Sequence, residues 1–307
     1  MHSIKNINMS GTLEFNRNLK DFTTFQVGGP ADILAFPGNQ QDLLLLIRWA
    51  RQNRIPWMIL GGGANILVSD KGVRGLVIAT SAMNDIRLDG ELLIAGPGSR
   101  ISDAAAFAAD HNLEGLDFIY AMPGSTGGAV WMNARCYGGE ISEILEWVDY
   151  IDGDRPDQGV QRLIPGVTTS YGDFAYKKTP FQVRPWIILE SAYRLTPGSG
   201  NGLWKRMKEL EDDRRNKGHF AAPCAGSVFK NNRSFGAPSG KLIDSLNMRG
   251  LQVGGAKISD QHANIIINTG NARASDIAEI IDRVQSRVEQ ELGFLLEPEV
   301  LKVGEWD

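Results

Sequence analysis

Ile55-Pro56-Trp57-Met58-Ile59-Leu60-Gly61-Gly62-Gly63-Ala64-Asn65 is the stretch that decides the fold. Six residues, apolar but for Pro56, read as a strand, and three consecutive glycines stop it in a loop. Glycines in a row let main-chain N–H groups converge on an anion. The loop is not the dinucleotide fingerprint, which needs a small residue where Ile66 stands.

Working outward, Asp42 to Arg51 reads as a helix with the Leu43–Ile47 run buried and Arg48 and Arg51 outward. Gly75–Ile78 and Leu92–Ala95 read as strands. Ile101–Asp110 reads as an alanine-rich helix with Ser102 near its start. Asp152–Asp157 reads as a hairpin turn and Ile187–Leu195 as a strand. Pro197–Gly202 breaks the chain and is the candidate domain boundary. Beyond it, Leu203, Met207 and Leu210 share one helix face. Ile277, Ile280, Ile281, Val284, Val288 and Leu292 form the stripe of a last helix, with Ser275 as its cap and Gly293 as its end. Helices alternating with strands favour a mixed α/β or α+β architecture.

A chain of 307 residues buries substantial cores and is expected to form more than one domain. A net charge of −4 supplies no basic field for nucleic acid. Cys136 and Cys224 are too few and too far apart for a disulfide scaffold or a zinc site, and no second histidine stands at ligand spacing from His262, so no metal is expected. The stretch from Met1 through Lys5, Asn6 and Asn8 lacks the apolar core of a secretory leader, and the Leu43–Ile47 run is too short to span a bilayer. The expectation is a soluble, cytoplasmic protein that uses no membrane.

A second small-residue loop, Pro123-Gly124-Ser125-Thr126-Gly127-Gly128-Ala129, leads to Asn133, Tyr137, Gly138 and Gly139. It suits an extended ligand lying against backbone, or a series of ordinary turns. In Ala225-Gly226-Ser227-Val228-Phe229-Lys230-Asn231, Ser227 reads as a nucleophile, a proton donor or a turn residue. Phe229 breaks the nucleophile-elbow pattern. Glu297 and Glu299 flank Pro298, and alternation points both to one side of an extended segment or of an exposed edge. His262 reads as a polar cap on the buried run Ile265–Ile267, or as a participant in chemistry.

Read in order, these segments resemble the UDP-N-acetylenolpyruvoylglucosamine reductase (MurB) family. The resemblance runs from Thr23-Thr24-Phe25-Gln26-Val27-Gly28-Gly29-Pro30-Ala31 to Leu296-Glu297-Pro298-Glu299-Val300. It passes through the Gly61 loop, Ile119–Ser125, Gly226–Asn231, Gly240–Ile243, Gly254–Ser259 and His262-Ala263-Asn264. The length resembles the short form that lacks an extra substrate-covering loop.

The resemblance implies an α+β fold: an FAD-binding portion of the PCMH/vanillyl-alcohol-oxidase type in two lobes, plus a C-terminal α+β substrate-binding domain. The lobes are expected at 12–80, joined by 297–307, and at 81–202, with the substrate domain at 203–296. It implies that NADPH reduces FAD, that flavin N5 passes hydride to C3 of UDP-N-acetylglucosamine enolpyruvate, and that a serine protonates C2. The product is the peptidoglycan precursor UDP-N-acetylmuramate, and the protein is expected to act as a monomer.

Carried onto matching positions, Ser227 is the proton donor, and Glu299 and Lys177 complete the catalytic set. FAD contacts fall to Gly61, Gly62, Gly63, Ala64, Asn65 and Ile66, to Pro123, Gly124, Ser125, Gly127 and Gly128, and to Asn133, Tyr137 and Gly138. Substrate contacts fall to Tyr176, Lys230, Asn231, Lys241 and His262. The family usually has Tyr-Arg-x-Ser where this chain reads Tyr176-Lys177-Lys178-Thr179, so charge is kept but the planar guanidinium fork is lost. Arg135 and Cys136 also replace small residues of the family pattern. Lys177 leaves open a related flavin oxidoreductase of other specificity, and a non-catalytic nucleotide-sugar-binding protein is the reading from another class.

Overall fold

The computed structural model describes Ile4, residues 7–170 and residues 173–306. Met1, Lys5 and Asn6, from which the absence of a leader was read, lie outside the described residues, as does Asp307 at the end of the 297–307 segment. Two compact units emerge. One comprises Met1–Phe15, Ile33–Gly62 and Gly75–Glu211; the other comprises Asn16–Asp32, Gly63–Arg74 and Asp212–Asp307.

In the first unit the opening strand spans Trp57–Leu60 and lies parallel to Val73–Ala79, with Trp57 opposite Leu76 and Leu60 opposite Ala79. It starts two residues later than the apolar run. Pro56 has no N–H to give a ladder and contributes only its carbonyl, to Leu76 N. These strands belong to a four-stranded sheet in the order Thr12–Asn18, Pro30–Phe36, Val73–Ala79, Trp57–Leu60. The helix Gln40–Gln52 buries Leu43, Leu46, Ile47 and Ala50 in the core shared with Leu76 and Ile78. Leu45 is 38% exposed, against the expectation that the whole leucine run is buried. At 100° per residue, consecutive leucines cannot all face one core.

A five-stranded antiparallel sheet runs Val160–Leu163, Leu145–Asp152, Trp186–Arg194, Leu92–Ala95, Ile86–Asp89. In the strand Trp186–Arg194, Ile187 and Leu189 enter one core while Ile188 and Tyr193 enter the other. Burial on both faces explains why this segment reads as a nearly continuous apolar run. The expected hairpin at Asp152–Asp157 joins Leu145–Asp152 to Val160–Leu163; Asp152 accepts there from Asp154 N and Arg155 Nε at 2.9 Å each. The alanine-rich helix spans Ile101–Asp110, and Ser102 accepts from Ala121 N rather than capping it. A long helix, Gly200–Asn216, begins within the expected Pro197–Gly202 break, where Asn112 Oδ1 accepts from Gly200 N. Leu203 and Met207 are buried on it.

The second unit packs the helix Ala274–Leu292 against a three-stranded antiparallel sheet, Gln252–Val253, Ala256–Ile258, Ile266–Asn268. Ile277, Ile280, Ile281, Val284 and Val288 are all buried, as their spacing requires. Gly293 closes the helix at φ +79°. Ser275 does not cap its start. The first amides donate to carboxylates instead: Arg273 N to Asp276, Ala274 N and Ser275 N to Asp70. An ionised carboxylate is a stronger acceptor for amide N–H groups than a neutral hydroxyl; burial raises the Asp70 pKa, but the bonds from Ser275 and Ala274 outweigh it and hold it below its ordinary value. Leu301–Val303 returns parallel to Ile66–Val68. Among the described residues no helix is long and apolar enough to cross a membrane.

Candidate active site

In the first unit the two small-residue loops meet through backbone. A Cβ on Gly62 would lie 2.6 Å from Gly124 Cα, and one on Gly61 would lie 2.6 Å from Ser125 Oγ. Any side chain at Gly62 would push the loops apart, so glycine there is a packing requirement. Ser125 caps the short helix Thr126–Trp131, its hydroxyl accepting from Gly128 N at 3.2 Å. The loop is stitched to its neighbour by Thr126 N to Ser99 O at 2.8 Å, Gly127 N to Pro97 O at 3.1 Å and Ile101 N to Gly124 O at 3.1 Å. A surface built from main chain and the small Ser125 hydroxyl leaves room for the pyrophosphate of a dinucleotide-type cofactor.

Two residues assigned to that cofactor are engaged elsewhere through their side chains. Asn133 is fully buried. Its Nδ2 donates to Glu140 and, at 3.0 Å, to Ala175 O, and its Oδ1 accepts from Ser142 N at 3.0 Å. Tyr137 donates its hydroxyl to Leu210 O at 3.3 Å. Both take positive φ, as sharp turns demand. Arg135 stands 3.6 Å from Glu140, and the Cys136 thiol contacts Phe118 O. Tyr176 and Lys177 sit in the tight turn closed by Ala175 and Lys178, with Lys177 at φ +57°.

The second unit holds the rest of the first loop. Gly63 turns at φ +60° against the Phe22 main chain, and its carbonyl accepts from Thr24 N at 3.1 Å. Asn65 donates its Nδ2 to Glu299 O at 2.9 Å and accepts from Leu301 N at 3.0 Å, so it ties down the segment that carries Glu299. Ala64 precedes it and Ile66 starts the strand paired with Leu301–Val303.

Here Ser227, Lys230, Glu297 and Glu299 come together. Ser227 forms a bridge with Ile265, and Phe229 one with Pro298. Glu299 N donates to Val228 O at 2.7 Å, Lys230 N to Glu297 O at 2.9 Å, and the Lys230 ammonium lies 2.5 Å from Glu297 Oε1. Gly226 precedes Ser227 at φ +69° with open space on its Cβ side. Among the described residues the Ser227 hydroxyl makes no hydrogen bond, so its proton is uncommitted. Asn231 accepts from Ser239 N at 2.9 Å, which fixes it beside the short helix carrying Gly240 and Lys241.

His262 Nδ1 accepts from Asn264 N at 3.1 Å, which places its proton on Nε2. Burial, then the Lys217 and Arg249 charges, push its pKa below the ordinary imidazole value. The cap reading of His262 is therefore realised in geometry. Sequence reading passed over Asn264, Ser239 and Glu140 as site-shaping residues. Asn264 stood inside a quoted motif, but nothing in a lone asparagine announces a backbone contact 35 residues away.

Comparison with known proteins identifies the family. Residues 31–154 match the family described as FAD binding domain, and residues 218–303 match the family described as UDP-N-acetylenolpyruvoylglucosamine reductase, C-terminal domain. The chain is 41% identical to the UDP-N-acetylenolpyruvoylglucosamine reductase of Treponema denticola, over 96% of this chain and 95% of that one. It is 38% identical to the enzyme of that name from Caldanaerobacter subterraneus subsp. tengcongensis, over 98% and 97%. The solved structure of UDP-N-acetylenolpyruvylglucosamine reductase from Thermus caldophilus superposes with a TM-score of 0.77 at 32% identity, covering 97% of this chain and all of that one. With an α+β fold, an FAD-binding domain and near-complete coverage of such relatives, the chain belongs to the UDP-N-acetylenolpyruvoylglucosamine reductase family of enzymes.

Proposed function

We propose that this chain reduces the enolpyruvyl double bond of UDP-N-acetylglucosamine enolpyruvate to give UDP-N-acetylmuramate for peptidoglycan synthesis, with NADPH as reductant. The observation that carries the reading is the Ser227 hydroxyl, without a hydrogen bond among the described residues, on the segment of Lys230 that pairs through backbone with the segment of Glu299. FAD, when bound, supplies hydride from N5 after taking it from NADPH. The chain must supply the rest of the balance. Hydride arrives at C3, the pair of the C=C bond moves onto C2 and the attached carboxylate, and C2 takes the Ser227 proton.

Charge builds on the carboxylate side before that proton arrives. Lys177 is assigned to that charge and Glu299 to orienting or stabilising the enol(ate)-like intermediate. Lys230, Asn231 and Lys241 are assigned to the substrate phosphates, where lysine acts as a point charge, and Tyr176 and His262 to polar contacts. The FAD contacts are assigned to residues 61–66, to Pro123, Gly124, Ser125, Gly127 and Gly128, and to Asn133, Tyr137 and Gly138. For Asn133, Tyr137 and Asn65 the contact is through main chain, since their side chains are engaged. The two FAD lobes are assigned to 12–80 with 297–307 and to 81–202, and the substrate domain to 203–296. The protein is assigned to the cytoplasm as a monomer that uses neither membrane nor nucleic acid.

An anaerobic absorption titration tests the reading. The flavin band should bleach with one equivalent of NADPH and return with UDP-N-acetylglucosamine enolpyruvate. Bleaching without return removes the substrate assignment. A protein that stays colourless after incubation with FAD removes the redox assignment.

A further inference from the structure

The three residues after Ser227 have every main-chain polar group committed. Val228 N donates to Asn264 O at 2.9 Å, and Val228 O accepts from Glu299 N. Phe229 N donates to Asn264 Oδ1 and Phe229 O accepts from Asn264 Nδ2, both at 2.9 Å. Lys230 N donates to Glu297 O, and Lys230 O accepts from Ser239 Oγ at 2.5 Å. One residue, Asn264, therefore provides three of these six partners, and it is only 3% exposed.

The reason lies in the local turn. Ser227 opposes Ile265, so a regular ladder would place Phe229 opposite Ala263. The chain turns at that point, with Ile265 N donating to His262 O at 3.0 Å, and the side-chain amide of Asn264 continues the ladder in place of a strand. Its orientation is forced, because Phe229 N only donates and Phe229 O only accepts. His262 accepts from Asn264 N and fixes the main chain from which that amide projects. Ser227 itself follows Gly226, which takes the left-handed region at φ +69°, and precedes this fully bonded stretch.

We propose that Asn264 is a positioning residue for proton delivery by Ser227, holding the Val228–Lys230 backbone so that Ser227 and Glu299 keep one register. This rests on the assignment of Ser227 as proton donor. A displacement near 1 Å at a reacting group costs up to roughly a hundredfold in rate, so a side chain that fixes the next residues governs the step without touching substrate.

Asn264→Asp is the test. At neutral pH it sets a carboxylate oxygen against Phe229 O, two acceptors with no proton between them. Flavin reduction by NADPH should stay within about twofold of wild type, while reoxidation by UDP-N-acetylglucosamine enolpyruvate slows roughly ten- to a hundredfold. Lowering the pH protonates the buried carboxyl, restores a donor, and should bring the variant back toward wild type measured at the same pH. That comparison cancels the titration of His262 and His219. Amide hydrogen exchange in residues 226–231, read without turnover, should be faster in the variant at neutral pH and recover on acidification.

Ser227→Ala is measured in parallel. If it reoxidises flavin like wild type, the donor assignment falls and the positioning role falls with it. If it is inactive while Asn264→Asp keeps wild-type reoxidation, only the positioning role falls. Asn264→Gln keeps both polar groups one methylene further out and covers the case in which the aspartate variant does not hold FAD. Slowed reoxidation with intact flavin reduction in it supports the proposal, and loss of flavin binding in both variants overturns it.

Discussion

The Lys230 ammonium is paired to Glu297 at 2.5 Å, two residues before Glu299, on a carboxylate that is 70% exposed. With one partner so open to water and the Lys230 side chain 24% exposed, the pair contributes little to folding, of the order of 0–1 kcal/mol. Glu297→Gln is expected to leave the urea midpoint almost unchanged. It should free Lys230 for an anionic ligand and lower KM for the UDP-sugar at low salt, with kcat nearly constant. A large loss of stability would show that the pair has a folding role instead.

Ser227→Ala should lower enolpyruvyl reduction by roughly a hundredfold or more, in the range typical of removing a general acid. Bleaching of the flavin by NADPH should be preserved. Stopped-flow absorbance separates the two half-reactions.

Lys177 occupies a turn at φ +57°. Lys177→Arg meets the same backbone and adds a planar fork suited to a carboxylate. Activity toward the UDP-sugar should be retained or raised, read as kcat/KM. An arginine variant that stays inert beside an inert wild type would point to a different substrate.

Gly62→Ala places a Cβ 2.6 Å from Gly124 Cα, where only backbone movement can relieve it. Destabilisation of about 1–3 kcal/mol is expected, with loss of bound FAD in the purified protein. Gly90→Ala is the control. Unlike Gly62 it takes positive φ, +61°, but it meets nothing within 4 Å, so it should cost about 1 kcal/mol and leave flavin content intact.

Burial, then the Arg214 charge, lowers the His219 pKa from 6.5 to about 4. The folded state thus favours the neutral imidazole, and the unfolded state binds the proton more readily. Stability from this group is complete above about pH 6.5 and is lost as pH falls toward 4. His219→Gln should flatten that limb of the stability curve, measured by urea unfolding between pH 7 and 4.

Much of this architecture was legible locally. Ile101–Asp110 and Leu92–Ala95 have the bounds that their patterns suggest, and the stripe from Ile277 to Val288 is buried as its spacing requires. Periodicity reports these because each residue needs only to know which side of its own element faces a core. Bounds and caps were less legible. Ser275 lost the cap to Asp276 and to Asp70, 205 residues before it in the chain, and no local pattern encodes a partner that distant.

The sequence by itself determined helices such as Ile101–Asp110, strands such as Leu92–Ala95, the two glycine loops and the family, since these depend on side-chain periodicity, backbone freedom and ordered motifs. Only the tertiary structure decided how Gly62 and Gly124 touch, why Asn133 and Asn65 spend their side chains inside the protein, and that Asn264 completes the ladder behind Ser227. Those relations are hydrogen bonds and contacts between residues far apart in the chain. They are fixed by where the packed cores bring backbone groups together, and every buried donor and acceptor must then find whatever partner lies within reach.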